Sequence, residues 1–217
     1  MLKKIPKFIT KKKINFNTAA LCEPLACCIN GLKKMDFRAN KKVLIFGAGT
    51  IGNLISSLCI LKKSAEIILV DNNLNKLKVG LKNKRLKKIN LKNLLKNKNY
   101  FNYFDYGFVA CNSAKAQNQI LNYMKNGGCV NLFSGIKNKI NKSQEVKINT
   151  NLIHYKELKV VGSHGSKKDD IIKAAKLIIN KKINLGEIIT HKYNLKNFSL
   201  AFKIANNGSG LKVVINP

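Results

Sequence analysis

The sequence predicts an α/β fold built on a doubly wound parallel sheet, and three observations predict it. An uninterrupted apolar segment at 43–46 leads into a glycine-rich turn, and apolar residues with helical spacing follow. A second apolar segment at 67–70 ends at Asp71, and such continuous apolar strands are typical of parallel sheets covered on both faces. Strand and helix patterns then alternate, which is the order that produces a parallel sheet.

The individual elements follow from the spacing of apolar residues along the chain. Helices are predicted at 18–35, 51–59, 114–125, 168–179 and 195–206. Strands are predicted at 43–46, 67–71, 106–111, 129–133, 158–162, 187–191 and 211–215. Lysine and asparagine obscure the pattern at 74–100, where one further strand is expected near 87–90. A chain of 217 residues is expected to form one complete domain with additional elements.

The formal net charge of +31 taken alone favours a polyanionic partner such as nucleic acid. However, lysine mixes with asparagine and isoleucine along the whole chain without forming a basic block, a pattern that A/T-rich codons also produce. No motif of an RRM, a KH domain or a zinc finger is present. No specific nucleic-acid partner is therefore predicted, and a nucleic-acid-binding protein is the third of three hypotheses.

Apolar runs and cysteine spacing indicate the compartment. No uninterrupted apolar run reaches the roughly 18 residues of a membrane span, so a soluble cytoplasmic protein without a membrane partner is predicted. The six cysteines include no CxxC pair and no spacing typical of a metal site. They are expected to be reduced thiols.

The glycine-rich turn predicts a dinucleotide site. Gly47, Gly49 and Gly52 form a GxGxxG motif between an apolar strand and a helix, and Asp71 follows 19 residues after the last glycine. The glycines permit the turn, the approach of a pyrophosphate and close packing of helix and strand, while helix N–H groups face the phosphates. Asp71 would accept hydrogen bonds from the adenine ribose and repel the 2′-phosphate of NADP, which favours NAD.

Other interpretations of this turn stay open. Proteins that bind S-adenosylmethionine or FAD also use glycine-rich first turns, and Lys76 could offer a cation to a 2′-phosphate. NADP is therefore the less favoured nicotinamide cofactor, and a turn without any ligand is a further alternative.

Longer stretches of the chain resemble a known family, the zinc-dependent medium-chain dehydrogenases and reductases, in the branch of sorbitol and threonine dehydrogenases. The matching segments are AALCEPLACCING, KVLIFGAGTIGNL, ILVDNN, NGGCVNLFSG, INTNLIHYKELKVVGSHGS, IITHKYNL and GLKVVINP. The resemblance implies a Rossmann-type doubly wound sheet with short remnants of a GroES-like catalytic domain at both ends. It implies an NAD-dependent oxidoreductase that transfers a hydride between a secondary alcohol or polyol and the nicotinamide.

The resemblance also implies roles for individual residues. Glu23 matches a glutamate that approaches the catalytic zinc, and Lys212 matches a cation that approaches the cofactor phosphates. The implied cofactor-binding residues are Gly47, Gly49, Thr50, Ile51, Gly52, Asp71, Lys76, Ala110, Cys111, Ser134, Gly135 and Lys212. No catalytic residue is assigned, and His164 is more often expected to be structural than functional.

The family's N-terminal lobe, which supplies the zinc ligands and most of the substrate pocket, has no counterpart among these motifs. The implied division is a remnant or linker of the catalytic domain at 1–28, a cofactor domain at 29–180 and a segment returning to the catalytic domain at 181–217. Only Glu23 could contribute to a zinc site, and one carboxylate cannot hold the ion tightly. Zinc is therefore expected in the intact family enzyme and not in this chain alone.

Two further expectations concern partners and activity. A homo-oligomer, or a partner chain that supplies the lobe, would complete an enzyme acting on a small alcohol or polyol. The alternative is a non-catalytic dinucleotide-binding remnant or module, which binds the cofactor without turnover.

Overall fold

The computed structural model describes residues 15–136 and 145–217, and its centre is a parallel sheet of six strands in the order β3-β2-β1-β4-β5-β6. The strands are β1 (Lys42–Phe46), β2 (Glu66–Asp71), β3 (Leu86–Asn90), β4 (Phe104–Val109), β5 (Met124–Leu132) and β6 (Lys159–Gly162). A separate pair of parallel strands consists of β7 (Ile189–Asn194) and β8 (Lys212–Asn216). The predicted doubly wound parallel sheet is confirmed, and the obscure third strand is present.

Nine helices accompany the strands in the part of the chain that the structure describes. They are α1 (Phe16–Ala19), α2 (Cys22–Lys34), α3 (Thr50–Leu61), α4 (Leu74–Lys78), α5 (Leu91–Lys96), α6 (Ala114–Tyr123), α7 (Thr150–Tyr155), α8 (Lys168–Ile179) and α9 (Phe198–Asn207). Short 3₁₀ turns occupy Lys98–Tyr100, Gly186–Ile188 and Leu195–Asn197. No helix within residues 15–136 or 145–217 has the length and apolar character needed to cross a membrane.

Alternate residues of the central strands belong to two separate cores, as expected for a sheet that is covered on both faces. Val43 and Ile45 of β1 pack with apolar side chains of α2 and α3 in one core. Leu44 and Phe46 pack in the other core, which includes Leu94 of α5 and side chains of α6. The segments 43–46 of β1 and 67–70 of β2 are therefore apolar at every position because each face of the sheet has its own helical layer.

Some predicted boundaries are wrong. The helix predicted at 114–125 ends at Tyr123, because Met124 is already extended (ψ 139°) and begins β5. The strand predicted at 187–191 starts only at Ile189, after a 3₁₀ turn, and the helix predicted from 195 starts at Phe198 for the same reason. Helix α7 was not predicted, because six residues are too few to establish helical spacing.

The start of α8 contains a buried carboxylate that carries a pH-dependent prediction. Asp170 is fully buried, its Oδ1 pairs with Lys33 Nζ of α2, and its Oδ2 accepts the N–H of Lys167 at 3.1 Å. Burial alone would raise the pKa of Asp170, but the hydrogen bonds from Lys33 and Lys167 outweigh it and hold this pKa below its usual value. The charged carboxylate therefore stabilises the fold wherever it stays ionised.

We expect Asp170→Asn to lower the free energy of unfolding at neutral pH by about 1–3 kcal/mol, the usual contribution of hydrogen bonds to a charged group. The lower value applies if water weakens the pair, since Lys33 is half exposed. Because the folded pKa is depressed, the wild-type advantage is complete above the unfolded pKa of about 3.9 and disappears as pH falls through the folded pKa. Urea unfolding at several pH values measures it, with the exposed neighbour Asp169→Asn as control; an equal deficit at every pH would contradict the charge's role.

Candidate functional site

Beta-alpha connections meet at the carboxyl edge of the sheet, where β1 lies between β2 and β4 and the winding reverses direction. Ligands of open α/β sheets bind in the crevice at such a switch point. The glycine turn leaves β1 there and enters α3, as the sequence predicts. This turn is therefore the centre of the candidate site.

The three glycines differ in the space around them. Gly47 has φ +107°, and a Cβ there would lie 2.6 Å from the carbonyl oxygen of Ala110. A Cβ at Gly52 would lie 1.8 Å from the carbonyl oxygen of Gly47, so helix and turn touch without room for a methyl group. A Cβ at Gly49, the N-cap of α3, meets no atom within 4 Å. Two glycines are thus needed for packing, while the third leaves open space in front of a helix N-terminus.

Asp71 ends β2 beside this turn, and both of its carboxylate oxygens accept backbone hydrogen bonds. Oδ2 accepts the N–H of Ala48, and Oδ1 accepts the N–H of Asn73, both at 2.8 Å. The acid and the turn, separated in sequence, are therefore in direct contact. Each oxygen keeps a lone pair that could accept a further hydrogen bond from a ligand.

A cleft of about 370 Å³ opens between the ends of β1, β2 and β4. Its lining comprises Phe46, Gly47, Val70, Asp71, Asn72, Leu91, Cys111, Ser113, Lys115, Ala116 and Gln119. Apolar walls with a few polar groups are typical of small-molecule sites. The sequence had indicated Gly47, Asp71 and Cys111 but not the side chains contributed by α5 and α6.

The residues after β4 and β5 lie at the same edge of the sheet. Cys111 is half-buried, and burial first, then the charge of Asp71, raises the pKa of its thiol. The Ala110 N–H donates to Phe46 O at 2.8 Å, and the Ser134 N–H donates to Val109 O at 3.0 Å. Gly135 is exposed. Ala110, Ser134 and Gly135 do not line the cleft itself.

The C-terminal segment reaches the turn from the other side. Thr50 Oγ1 donates to the carbonyl oxygen of Leu211 at 2.5 Å, and the N–H of Leu211 donates to Thr190 Oγ1 at 2.9 Å. Lys212 follows as the first residue of β8. Lys76 Nζ lies 3.9 Å from the position that a Cβ would take at Gly208. The structure thus brings Thr50 of the turn into contact with Leu211, the residue before Lys212, and Lys76 close to Gly208 of the same segment, whereas half-buried Ile51 packs against the core.

Glu23 lies in the first turn of α2 and is exposed. Its Oε1 accepts the thiol of Cys27 at 3.0 Å, and burial together with Glu23 raises the pKa of Cys27 to about 11. Among residues 15–136 and 145–217, no three His, Cys, Asp or Glu side chains form a group that could hold a metal ion. The donors that the structure describes therefore do not fit a zinc site.

Two of the histidines have the following contacts. His191 Nδ1 lies 3.0 Å from Thr190 Oγ1, and exposed His164 contributes only its carbonyl oxygen, which accepts from Asn30 at 3.5 Å. Asn53, a fully buried amide directly after Gly52, is a further residue near the turn that the sequence analysis does not identify. A polar residue at a position of α3 that should be apolar is the signal that could have identified it.

Comparison with known proteins places this geometry among dehydrogenases, although no family model matches the chain. The sorbitol dehydrogenase of Halalkalibacterium halodurans is 24% identical over 216 residues, and the L-threonine 3-dehydrogenase of Photorhabdus laumondii is 25% identical over 220 residues. These alignments cover 94% and 98% of this chain but 60% and 62% of the relatives. The chain thus spans about three fifths of the length of the curated relatives it matches, and its resemblance to the sorbitol and threonine dehydrogenases is confirmed.

Solved structures agree on the fold. A putative zinc-binding dehydrogenase from Sinorhizobium meliloti 1021, bound to NADP, superposes with a TM-score of 0.76 at 23% identity, covering 92% of this chain and 59% of that one. An alcohol dehydrogenase from Escherichia coli CFT073, complexed with NADH, superposes with a TM-score of 0.80 at 17% identity, covering 99% and 62%. The fold of this chain is therefore that of the Rossmann-type part of such enzymes.

Proposed function

We propose that this chain is the cofactor-binding part of an NAD-dependent dehydrogenase of the zinc-type medium-chain kind, acting on a secondary alcohol or polyol. The observation that carries the proposal is the contact between Asp71 and the glycine turn, 2.8 Å from carboxylate to Ala48 N–H, beside the open space at Gly49. An adenosine diphosphate group needs both features, a ribose acceptor and a cleared helix N-terminus. The curated relatives are dehydrogenases, which supports the same reaction class.

Each part of the site has a proposed task. The cleft lined by Phe46, Val70 and Cys111 encloses the adenine, and the Asp71 carboxylate accepts from the ribose hydroxyls. The N–H groups at the start of α3, with Lys76 and Lys212 nearby, bind the diphosphate. Ala110, Ser134 and Gly135 line the nicotinamide side at the ends of β4 and β5. The bound nicotinamide would supply the hydride acceptor.

Among the nicotinamide cofactors, we propose NAD(H). The Asp71 carboxylate is held by two backbone amides and would lie against the 2′ position, where a phosphate would be repelled. Structural neighbours contain NADP or NADH, so the comparison alone leaves both open. Lys76 is half-buried, and its charge acts on the Cys111 thiol of the same cleft, so the preference for NAD(H) rests on the Asp71 carboxylate and not on the absence of a cation.

Substrate binding and catalysis would require a second lobe beside the cofactor site. We propose that this lobe comes from the complete enzyme, from a partner chain or from a second copy of this chain. Residues 29–180 would form the cofactor domain, with 1–28 and 181–217 connecting to that lobe. Two exposed aromatic side chains on α9 support a contact with that lobe, since Phe198 and Phe202 are 52% and 62% exposed. All six cysteines are free thiols, which supports a cytoplasmic location.

A non-catalytic dinucleotide-binding module is the second candidate, and the structure of α2 favours it. Glu23 binds the Cys27 thiol, and the described residues hold no group of metal ligands. Such a module would bind NADH without converting any alcohol. Turnover with zinc and a series of polyols separates the two candidates.

Direct titration tests the proposed cofactor site. We expect saturable binding of NADH, and weaker binding of NADPH, by calorimetry in about 0.5 M salt, where the Debye length is roughly 4 Å and attraction to the lysines is screened. Inorganic pyrophosphate is the control titrant, because it has the charge without the nucleoside. If pyrophosphate competes as well as NADH, or neither nucleotide binds, the cofactor site is refuted.

A further inference from the structure

Asn53 is a polar side chain in the part of α3 that packs on the sheet. It is completely buried, and its helical neighbours Leu54 and Ile55 are core residues. An amide in such a place costs free energy unless its hydrogen-bonding groups are satisfied. Core packing alone would favour an apolar residue at position 53, so the contacts of the amide explain its presence.

All three of those contacts go to backbone groups, two of them in the glycine turn. Asn53 Nδ2 donates to the carbonyl oxygens of Ala48 and Gly49, each at 3.0 Å, and two hydrogens are available for the two acceptors. Asn53 Oδ1 accepts the N–H of Leu81 at 3.1 Å. The side chain thus holds two successive peptide groups of the turn and connects them to the segment after α4. At Gly49 it shares this task with the backbone N–H of Asn53, which donates to the same carbonyl at 3.1 Å.

Peptide planarity converts these bonds into an orientation. In a trans peptide the C=O and the N–H point in opposite directions, so a carbonyl drawn toward Asn53 directs its partner N–H away from the protein interior. The partner of the Ala48 carbonyl is the N–H of Gly49, and the partner of the Gly49 carbonyl is the N–H of Thr50. These two groups therefore face the open side of the turn, where a Cβ at Gly49 meets no atom within 4 Å.

Ala48 is fixed from both sides by this arrangement. Its N–H donates to Asp71 Oδ2 at 2.8 Å, and its carbonyl accepts from Asn53 at 3.0 Å. Asp71, which is proposed to bind the ribose, and Asn53 consequently both hold the backbone of Ala48. Any movement of Asn53 changes the position of the N–H groups relative to Asp71.

We infer that Asn53 is a positioning residue for the diphosphate of the dinucleotide, which it serves by aiming the N–H groups of Gly49 and Thr50 at the phosphate oxygens. The inference rests on the proposed function. It assigns the buried amide no contact with the ligand itself. Its effect is confined to ligands that carry phosphate, because adenosine occupies only the neighbouring cleft.

Two ligands and two variants of Asn53 test it. Binding of ADP-ribose and of adenosine is measured for the wild type, Asn53→Leu and Asn53→Ala, in the screened buffer described above and well below the unfolding temperature. Both variants remove the three side-chain hydrogen bonds and add no charge near the diphosphate, Leu with a similar side-chain volume and Ala with a smaller one. Ser56→Ala is the matched control, since Ser56 is equally buried in α3 and its Oγ donates to Gly52 O at 2.8 Å, outside the two aimed peptides.

We expect both Asn53 variants to bind ADP-ribose about tenfold more weakly, the effect of losing roughly one hydrogen bond's worth of free energy, while adenosine affinity changes less than about twofold. Ser56→Ala should alter neither affinity. Should one Asn53 variant fail to fold, the other decides. An equal loss for both ligands, or unchanged ADP-ribose binding, overturns the inference while leaving the cofactor site intact; a wild type that binds neither ligand refutes the proposed function and the inference with it.

Discussion

Gly52→Ala is expected to lower the free energy of unfolding by about 4 kcal/mol or more, which is among the largest effects of single substitutions. The new Cβ would lie 1.8 Å from the carbonyl oxygen of Gly47 and 3.2 Å from Leu69 Cδ1 of β2, so it meets the turn on one side and the sheet on the other. Domains of this size are stable by only about 5–15 kcal/mol, so a large part of the stability would be lost. Urea unfolding followed by circular dichroism measures the change.

Gly49→Ala is the control, because it adds the same methyl group to the same turn. Gly49 has φ −74° and ψ −168°, which alanine adopts without strain, and its Cβ would meet nothing within 4 Å. The free energy of unfolding of Gly49→Ala should stay within about 0.5 kcal/mol of the wild-type value or rise slightly. Its affinity for NADH should fall at least about tenfold, because the methyl occupies the proposed diphosphate position. If Gly52→Ala had the same free energy of unfolding as the wild type, the turn would not be packed as described.

Asp71→Asn is expected to reverse the preference between NADH and NADPH. Hydrogen bonds to a charged group contribute about 1.5–3 kcal/mol, so NADH affinity should fall roughly ten- to hundredfold. The negative charge that opposes a 2′-phosphate disappears, so NADPH affinity should fall less or increase. Calorimetric titration with both nucleotides, in buffer of high ionic strength, measures the ratio of the two affinities.

The matched variant for this experiment is Asp36→Asn, which removes the same charge from an exposed position paired with Lys159. Its ratio of NADH to NADPH affinity should equal that of the wild type. A parallel decrease for both nucleotides in Asp71→Asn would mean that the carboxylate only maintains the turn through Ala48 and Asn73. Selectivity would then have to arise elsewhere in the cleft.

The sequence was sufficient for those parts of the site that depend on neighbouring residues. The strand at 43–46, the glycine turn and the helix after it form one continuous piece, and Asp71 ends the next strand. The order of a parallel sheet brings that acid to the turn, because β2 pairs with β1. The position of Asp71 could therefore be predicted before its distance to Ala48 was known.

Other parts of the site come from helices whose packing against the sheet edge could not be predicted from any local sequence pattern. Leu91 and Gln119 line the cleft because α5 and α6 cover the same edge of the sheet, and neither residue belongs to a motif. The role of Asn53 depends on the orientation of two peptide groups, which becomes visible only in the folded turn. The prediction for Glu23 rested on resemblance alone, and in the structure its carboxylate is bound to Cys27.

The hydrogen bond from Thr50 to Leu211 joins residues 161 positions apart. At about 5–20 residues per second, a ribosome needs roughly ten to thirty seconds to add the intervening stretch. During that time β1 and β2 can already pair and Asp71 can already bind Ala48, while the first residue of α3 lacks its last partner. Affinity for the nucleotide would therefore arise only after the central strands have assembled.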